Sequence, residues 1–209
     1  MTGIKKPSTD FHQALSLAST GMICLFGGGG KTGLMFTLAG ILAHGGKKVL
    51  TTTTTKILYP SAVQSQNILV CRSTDELLKK SDPLLSQSNH ICAGRSHDPE
   101  TDKLSGFSAA QIRQIQSADL FDWIILEADG ARRRPIKASA AHEPVLPDRC
   151  THLILVTGLD AVGSPLTDTN VHRAQLFSRN TGLPIGEPIT TDVIAKALNF
   201  EMAKAARLC

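Results

Sequence analysis

Short apolar runs alternate with amphipathic segments along most of this chain. The apolar runs predict strands at residues 21–27, 67–71, 90–94, 122–130 and 151–158, and a strand at residues 47–56 that enters a threonine-rich turn. Apolar residues that recur every three or four positions predict helices at residues 32–44, 73–81, 108–121 and 191–207. Continuous apolar strands separated by helices are typical of a parallel sheet covered on both faces. The sequence therefore predicts an α/β fold of three layers with a mainly parallel sheet.

Local signals mark several of the predicted helix boundaries. Ser73 with Glu76, and Ser108 with Gln111, have the spacing of a capping box, in which a serine and a Glu or Gln satisfy backbone N–H groups at a helix start. Two consecutive glycines at residues 45–46 are predicted to end the first helix. Ligands of such sheets bind at the carboxyl ends of the strands, and the unusual residues of this chain all follow strands.

The stretch LFGGGGKTGLM joins the first predicted strand to the first helix and contains four consecutive glycines: Gly27, Gly28, Gly29 and Gly30. Without Cβ atoms, their backbone N–H groups can surround a phosphate, and the following helix adds its N-terminal dipole. In the motif G-x-x-x-x-G-K-[ST], Lys31 would reach the outer phosphates and Thr32 would bind Mg²⁺. The first glycine of that motif falls on Leu25, so the turn is expected to begin at Gly27. A plain glycine-rich turn with a surface lysine is the alternative, but the order of strand, loop and helix favours a phosphate site.

Two acidic residues follow the apolar strand in WIILEADGARRRP. Glu127 and Asp129 are separated by one residue, so they point to the same side if the strand continues through them. A carboxylate near the threonine is needed to hold Mg²⁺, which predicts Glu127 in the Walker-B position and Asp129 near the γ-phosphate or a metal-bound water. Asp129-Gly130 is also a common turn signal, and this simpler interpretation stays open.

Basic and hydroxyl side chains follow two of the predicted strands. The basic residues after the acidic pair are Arg132, Arg133, Arg134 and Lys137, and they are suited either to an anionic substrate or to a solvated loop. In the run TTTTTK, the first threonines are good strand residues. Thr54, Thr55 and Lys56 are candidates for contacting phosphate or a second substrate, and a purely structural role is equally supported.

Two later loops carry weaker candidates. HEPVLP contains His142 and Glu143, and the long polar segment at residues 157–177 contains Asp160 and His172 before a helix. Binding residues concentrate in such loops at strand ends, although a single histidine is more often structural than catalytic.

Composition narrows the class of protein. The chain of 209 residues is long enough for one domain, and 42% hydrophobic with 19% charged residues is typical of a globular protein. The net charge of +4 allows anionic ligands without itself arguing for nucleic acid. No apolar run approaches the roughly 20 residues needed to cross a membrane, and the N-terminus has no signal-peptide pattern. Five scattered cysteines without C-x-x-C predict reduced thiols, as expected for a cytoplasmic protein. From the mild charge and the lack of a long apolar run, we expect no nucleic-acid or membrane partner.

Four segments within residues 20–180 together resemble the YqeC family: GGGGKTGLMFTLA, KVLTTTTTK, ILEADGARRRPIKASAAHEPVLP and TGLDAVGSPLTDTNVHRAQLF. The specific parts are the threonine-lysine run and E-A-D-G-A-R…K-x-x-A-x-x-E-P, because many proteins share the glycine-lysine-threonine loop. The resemblance implies a SIMIBI-like P-loop NTPase fold and a cytoplasmic location. It also implies a role as an accessory to selenium-dependent molybdenum hydroxylases or to selenium cofactor biosynthesis.

The resemblance also assigns residues. It places the phosphate site at Gly28, Gly30, Lys31 and Thr32, and the motif acids and bases at Glu127, Asp129, Arg132 and Lys137. The extra arginine in ARRRP leaves open which arginine matches the family. Family sequences continue into a further strand with an asparagine motif that reads the base. We therefore expect residues 1–209 to form a single domain, either shortened or lacking its C-terminal part, with the choice of ATP or GTP open.

Three functions follow from these patterns. The leading hypothesis is a Mg²⁺-nucleotide-binding accessory protein whose hydrolysis of ATP or GTP drives release or insertion of selenium or a molybdopterin cofactor into a client hydroxylase. Its predicted catalytic residues are Lys31, Glu127, Asp129 and Arg132, with Thr32, Glu127 and Asp129 as metal ligands. The alternatives are a small-molecule kinase and a non-enzymatic scaffold or thiol-based selenium carrier. The sequence does not set the oligomeric state.

Overall fold

Parallel strands form the central sheet, as the apolar runs predict. The strands are β1 (Gly21–Gly27), β2 (Val49–Thr53), β4 (Ile68–Val70), β5 (His90–Gly94), β8 (Trp123–Glu127) and β10 (His152–Val156). They lie in the order β10-β1-β8-β2-β5-β4, and every pairing is parallel. The computed structural model describes residues 15–208, so the N-terminal segment without a predicted signal peptide lies largely outside the described residues.

Helices cover both faces of this sheet, which confirms the three-layer α/β fold. In the described residues they are α1 (Lys31–His44), α2 (Thr74–Leu85), α3 (Ala109–Ser117), α4 (Ala174–Thr181) and α5 (Thr191–Ala205), with a 3₁₀ turn at Leu159–Ala161. Alternate residues of β1 enter different cores: Ile23 and Leu25 pack with α1, whereas Cys24 and Phe26 pack with α2 and α3. None of the described helices is long and apolar enough to cross a membrane.

The predicted helix caps form in part. Ser108 and Gln111 make a complete capping box at the start of α3. At the start of α2, the Ser73 hydroxyl accepts the Glu76 N–H at 3.2 Å. The Glu76 carboxylate instead accepts the N–H of Arg72 at 2.9 Å, so this second box is only half formed.

The segment at residues 47–56 forms a strand that enters a threonine-rich turn, as predicted, and β2 stops at Thr53. The Thr53 hydroxyl donates to the Glu127 carbonyl at 2.7 Å and accepts the Thr55 N–H at 3.0 Å, so the chain turns there. Residues beyond the turn form β3 (Lys56–Leu58), which pairs antiparallel with β7 (Lys103–Ser105), itself paired with β6 (Ser96–Asp98). This small sheet follows the carboxyl end of β2 and was not predicted.

A second small sheet pairs β9 (Ile136–Lys137) with β11 (Val171–His172) in parallel. Its apolar side chains, Ile136 and Val171, pack in a separate core with residues of α4 and α5 such as Phe177 and Ile194. This core fixes two polar segments, those that begin at Lys137 and at His172, near the carboxyl end of the central sheet.

The cysteines only partly follow the expectation of reduced thiols. Cys24, Cys71 and Cys92 are free and buried. Cys150 is disulfide-bonded, so the prediction is wrong for that residue.

Candidate functional site

The four glycines at residues 27–30, which we call the glycine loop, connect β1 directly to α1. Gly27 has a φ of +106° and Gly30 a φ of +98°, a conformation that residues with a Cβ rarely adopt. The strand continues through Leu25, so the turn begins at Gly27. Gly30 caps α1 without any side-chain hydrogen bond, which leaves the first N–H groups of the helix for a ligand.

Lys31 folds back over the glycine loop. Its Nζ donates to the carbonyls of Gly27 at 2.8 Å and Gly28 at 3.0 Å, and the residue is only 3% exposed. The same Nζ lies 3.3 Å from Asp129 Oδ1 and 3.8 Å from Glu127 Oε1. The ammonium group is therefore held at the loop, within reach of an anion bound there.

Thr32 and Glu127 form the adjacent polar pair. Because β8 is the direct neighbour of β1, the carboxylate at its end reaches the first turn of α1, and the Thr32 hydroxyl donates to Glu127 Oε2 at 2.7 Å. Neighbouring ligands of an octahedral Mg²⁺ with bonds of 2.0–2.1 Å are about 2.9 Å apart, so this pair fits two positions of such an ion. Burial raises the pKa of Glu127, although Lys31 and Thr32 oppose the effect.

No group of three or more His, Cys, Asp or Glu side chains that could hold a metal ion occurs in the part of the chain that the structure describes. Mg²⁺ commonly binds through one or two carboxylates together with substrate phosphates and water. The Thr32–Glu127 pair therefore fits a cation that arrives with a phosphate ligand better than a resident metal.

Six charged side chains of alternating sign form a continuous series that starts at the glycine loop and passes through the buried interior. In order they are Glu127, Lys31, Asp129, Lys137, Glu143 and Arg173, and we call them the charge chain. Successive charged groups approach to 3.8, 3.3, 2.7, 3.0 and 2.6 Å. Buried charges are costly unless each has a partner, and here every member has at least one oppositely charged neighbour.

Asp129 and Lys137 lie at the centre of the charge chain, and both side chains are fully buried. The two oxygens of Asp129 accept the Gly27 N–H, each at 3.1 Å. The structure therefore places these two residues behind the glycine loop, where they position Gly27 and Lys31. Direct contact of either one with a metal or nucleotide remains a prediction and would need the loop to open.

Glu143 and Arg173 complete the charge chain on the pocket side. Burial opposes the ionisation of Glu143, but hydrogen bonds and charges from Arg173 and Lys137 outweigh it and lower its pKa to about 2. Burial, followed by the charges of Arg173, Lys137 and Arg132, lowers the pKa of His172 to about 4. His172 is therefore uncharged at neutral pH, while Glu143 is ionised.

An open pocket of about 960 Å³ lies over the glycine loop. Predicted site residues on its walls are Gly28, Gly29, Gly30, Lys31, Thr32, Thr55, Lys56, Glu127 and Arg132. Thr54 does not line it, because its hydroxyl donates to the Val145 carbonyl at 2.9 Å. Gly27, Asp129 and Lys137 also lie off its walls.

Two cationic residues on the pocket walls, Lys103 and Arg173, were not among the candidates, whereas Arg133 was named only within the basic run and given no role of its own. Lys103 had no local signal, since only the pairing of β7 with β3 brings it to the pocket. Arg173 was visible as the residue beside the weak candidate His172.

The backbone of Pro135 packs against the glycine loop and is hydrogen-bonded to it. Its carbonyl accepts N–H groups from both Gly29, at 2.9 Å, and Gly158, at 2.8 Å. The N–H of Gly28 is also engaged, with the Val156 carbonyl at 2.7 Å. A Cβ at Gly28 would lie 1.9 Å from the Pro135 oxygen, so this approach requires glycine.

The described free thiols do not belong to the site. Burial raises the pKa of Cys24 and of Cys92 to about 12, and it also raises that of Cys71. None of the three lines the pocket over the glycine loop. A protonated, enclosed thiol is a poor nucleophile or selenium ligand, which weakens the carrier hypothesis for these three residues.

Comparisons with known proteins agree with the sequence motifs. A family model described as "YqeC protein" matches residues 23–175. The curated "Uncharacterized protein YqeC" of Escherichia coli (strain K12) is 35% identical over 162 residues, which is 78% of this chain. The chain spans only 61% of the length of that relative. No solved structure gives a significant match.

Proposed function

Since this chain belongs to the YqeC family, we propose that it binds a Mg²⁺-nucleotide, hydrolyses it, and assists the maturation of selenium-dependent molybdenum hydroxylases. One observation carries the nucleotide assignment: the glycine loop, Lys31 and the Thr32–Glu127 pair meet at one pocket. The client enzyme is inferred from the family resemblance alone. The nucleotide is ATP or GTP.

Each group of the site has a defined task in this proposal. The N–H groups at the start of α1 and the Lys31 ammonium bind the outer phosphates, with Lys31 exchanging its two carbonyl acceptors for phosphate oxygens. Thr32 and Glu127 hold Mg²⁺, which when bound neutralises charge on the phosphates. Arg132, on the pocket wall, is the candidate for stabilising charge at the terminal phosphate.

Nucleotide titration of the Lys31→Ala variant tests the first part. Calorimetric titrations with ATP and GTP, each with and without Mg²⁺, should show binding to the wild type and none to the variant. Lys196→Ala is a matched control, because Lys196 also donates to a backbone carbonyl, that of Thr181 at 2.6 Å, yet does not line the pocket. Unchanged nucleotide binding in a folded Lys31→Ala protein would remove the assignment.

The role in maturation needs a separate experiment in cells. The selenium content of a selenium-dependent molybdenum hydroxylase should fall in a strain that lacks this protein. Expression of the wild type should restore it, and expression of Lys31→Ala should not. A hydroxylase with normal selenium content in the deletion strain would exclude this client.

A small-molecule kinase is the second candidate, and the pocket gives one reason for it. Lys56, Lys103 and Arg133 extend the cationic surface beyond the glycine loop, where an acceptor would sit. Product analysis distinguishes the two reactions: hydrolysis releases inorganic phosphate, whereas a kinase leaves the phosphate on a second molecule.

A further inference from the structure

The pocket has a second cationic wall, built by the small sheet of β3 and β7. In the antiparallel register, Leu58 lies opposite Lys103 and Lys56 lies opposite Ser105, so these four side chains share one face. The other face carries Ile57, which is 3% exposed, and the fully buried Leu104. The register therefore presents both lysines on the exposed face, and both line the pocket.

Among the described residues, the two lysines of this wall and the neighbouring Arg132 and Arg133 have no carboxylate partner within 4 Å. The two carboxylates that line the pocket, those of Glu127 and Glu143, are already engaged in the charge chain.

Asp98 is the acidic residue that shares the face of the small sheet with Lys103. A hydrogen bond from the Thr101 hydroxyl is the largest cause that lowers its pKa, and the charge of Lys56 adds a smaller contribution. Its Oδ2 accepts that hydroxyl at 2.7 Å, and its Oδ1 accepts the Glu100 N–H at 3.0 Å. Asp98 is thus bound within its own turn and does not line the pocket.

The backbone conformation of the pocket arginines also indicates a binding site. Arg132, Arg133 and Arg173 have φ angles of +50°, +61° and +67°, in the left-handed region that a Cβ makes unfavourable. All three line the pocket. Strained residues that cluster at one site are typical of functional positions, and here the strain accompanies guanidinium groups.

We propose that Lys56, Lys103, Arg132 and Arg133 bind a second ligand, a small organic phosphate with an apolar portion, beside the terminal phosphates of the nucleotide. Glu127 ends β8, which lies between β1 and β2, so the two ligands occupy opposite sides of that carboxylate. Leu58, which is 46% exposed on the same wall, supplies the apolar contact. Arginine forks match phosphate oxygens in pairs.

The size of the pocket agrees with two ligands. Its volume of about 960 Å³ lies at the upper end of the roughly 300–1,000 Å³ found for small-molecule sites. The inference deepens the proposed function, since it depends on the glycine loop being the nucleotide site.

Phenyl phosphate, a ring carrying one phosphate, is a suitable probe. Protein saturated with Mg²⁺ and a non-hydrolysable analogue of the preferred nucleotide is titrated with it by calorimetry. We expect one saturable site per chain, with a Kd at least tenfold higher in the Lys103→Ala/Arg133→Ala variant. Lys48→Ala/Lys79→Ala is the matched control, because it removes the same charge from exposed residues that do not line the pocket.

The outcomes separate this inference from the proposed function. If the wild type does not bind the nucleotide analogue, the proposed function fails first. If the analogue binds but phenyl phosphate does not, or binds equally well to both double variants, only the second site is refuted. Binding of phenyl phosphate that the analogue abolishes would place it at the glycine loop and also refute the second site. A single-stranded oligonucleotide that binds instead, and is lost in Lys103→Ala/Arg133→Ala, would replace the small ligand by nucleic acid.

Discussion

Replacing Lys137 with methionine tests whether the charge chain holds the candidate site together. The Lys137 ammonium is fully buried and lies 2.7 Å from Asp129 and 3.0 Å from Glu143. Methionine fills a similar volume but leaves both carboxylates without this partner.

The expected cost follows from how much pairing survives. Breaking a buried ion pair by removing one partner costs about 3–5 kcal/mol. Asp129 keeps Lys31 and the Gly27 N–H, and Glu143 keeps Arg173, so we expect a value near the lower end, about 3 kcal/mol. For a chain of this size, each kcal/mol lowers Tm by about 2–4 °C, which gives a decrease of roughly 6–12 °C.

Lys80→Met is the matched control for this experiment. Lys80 pairs with Glu76 at the same distance, 2.7 Å, but its side chain is 52% exposed. Solvent screens exposed pairs of this kind, so they contribute little to stability. Urea denaturation and calorimetric melts of both variants at pH 7 measure the difference, and equal losses of stability would refute the reasoning from burial.

A second substitution separates stranded charge from lost packing. Asn at position 129 keeps an oxygen for the Gly27 N–H but carries no charge. If the unpaired carboxylate causes the loss, Asp129→Asn should cost less in the Lys137→Met background than in the wild type. Additive losses would instead point to packing.

Three further predictions concern the glycine loop, the metal pair and acid stability. Gly28→Ala should lower Tm and weaken nucleotide binding, because its Cβ would lie 1.9 Å from the Pro135 oxygen. Gly40→Ala, at an exposed position of α1 with nothing within 4 Å of the new Cβ, should raise stability by up to about 1 kcal/mol in the same melts. Thr32→Ala should abolish the dependence of nucleotide affinity on Mg²⁺, and titrations that still respond to Mg²⁺ would argue against the pair. The pKa of Glu143 is lowered from 4.5 to about 2, so its stabilising effect is present above pH 4.5 and is lost as the pH falls towards 2. Urea midpoints of the wild type and Glu143→Gln should therefore converge over that interval.

Local patterns in the sequence predict the central sheet well. The span of β1 matches its apolar run, and α1 begins one residue before the predicted start. These boundaries are predictable because they depend on residues that are adjacent in the sequence. The contact of Thr32 with Glu127 follows from strand adjacency, which the motif implies. The sequence predicts that β2 enters a turn within the threonine run but not at which residue, because threonine suits a strand and a turn equally, and a hydrogen bond to the distant Glu127 decides between them.

The remaining parts depend on contacts between distant segments. Lys103 reaches the pocket only through pairing of β7 with β3, and neither strand has a distinct pattern of its own. The charge chain likewise joins residues of separate motifs, such as Lys31, Lys137 and Arg173. Each of these residues is visible in the sequence, but their alternation of charge exists only once the sheet is assembled.

The double acceptor role of Pro135 links ligand binding to loop position. A phosphate that accepts the Gly29 N–H competes with the Pro135 carbonyl for one donor, so the two cannot both hold it fully. Release of that carbonyl also removes the acceptor of the Gly158 N–H and frees the segment that follows Arg132 and Arg133. A molecule that fixes this segment in its present position therefore weakens phosphate binding. By thermodynamic reciprocity, bound phosphate weakens the binding of that molecule by the same factor.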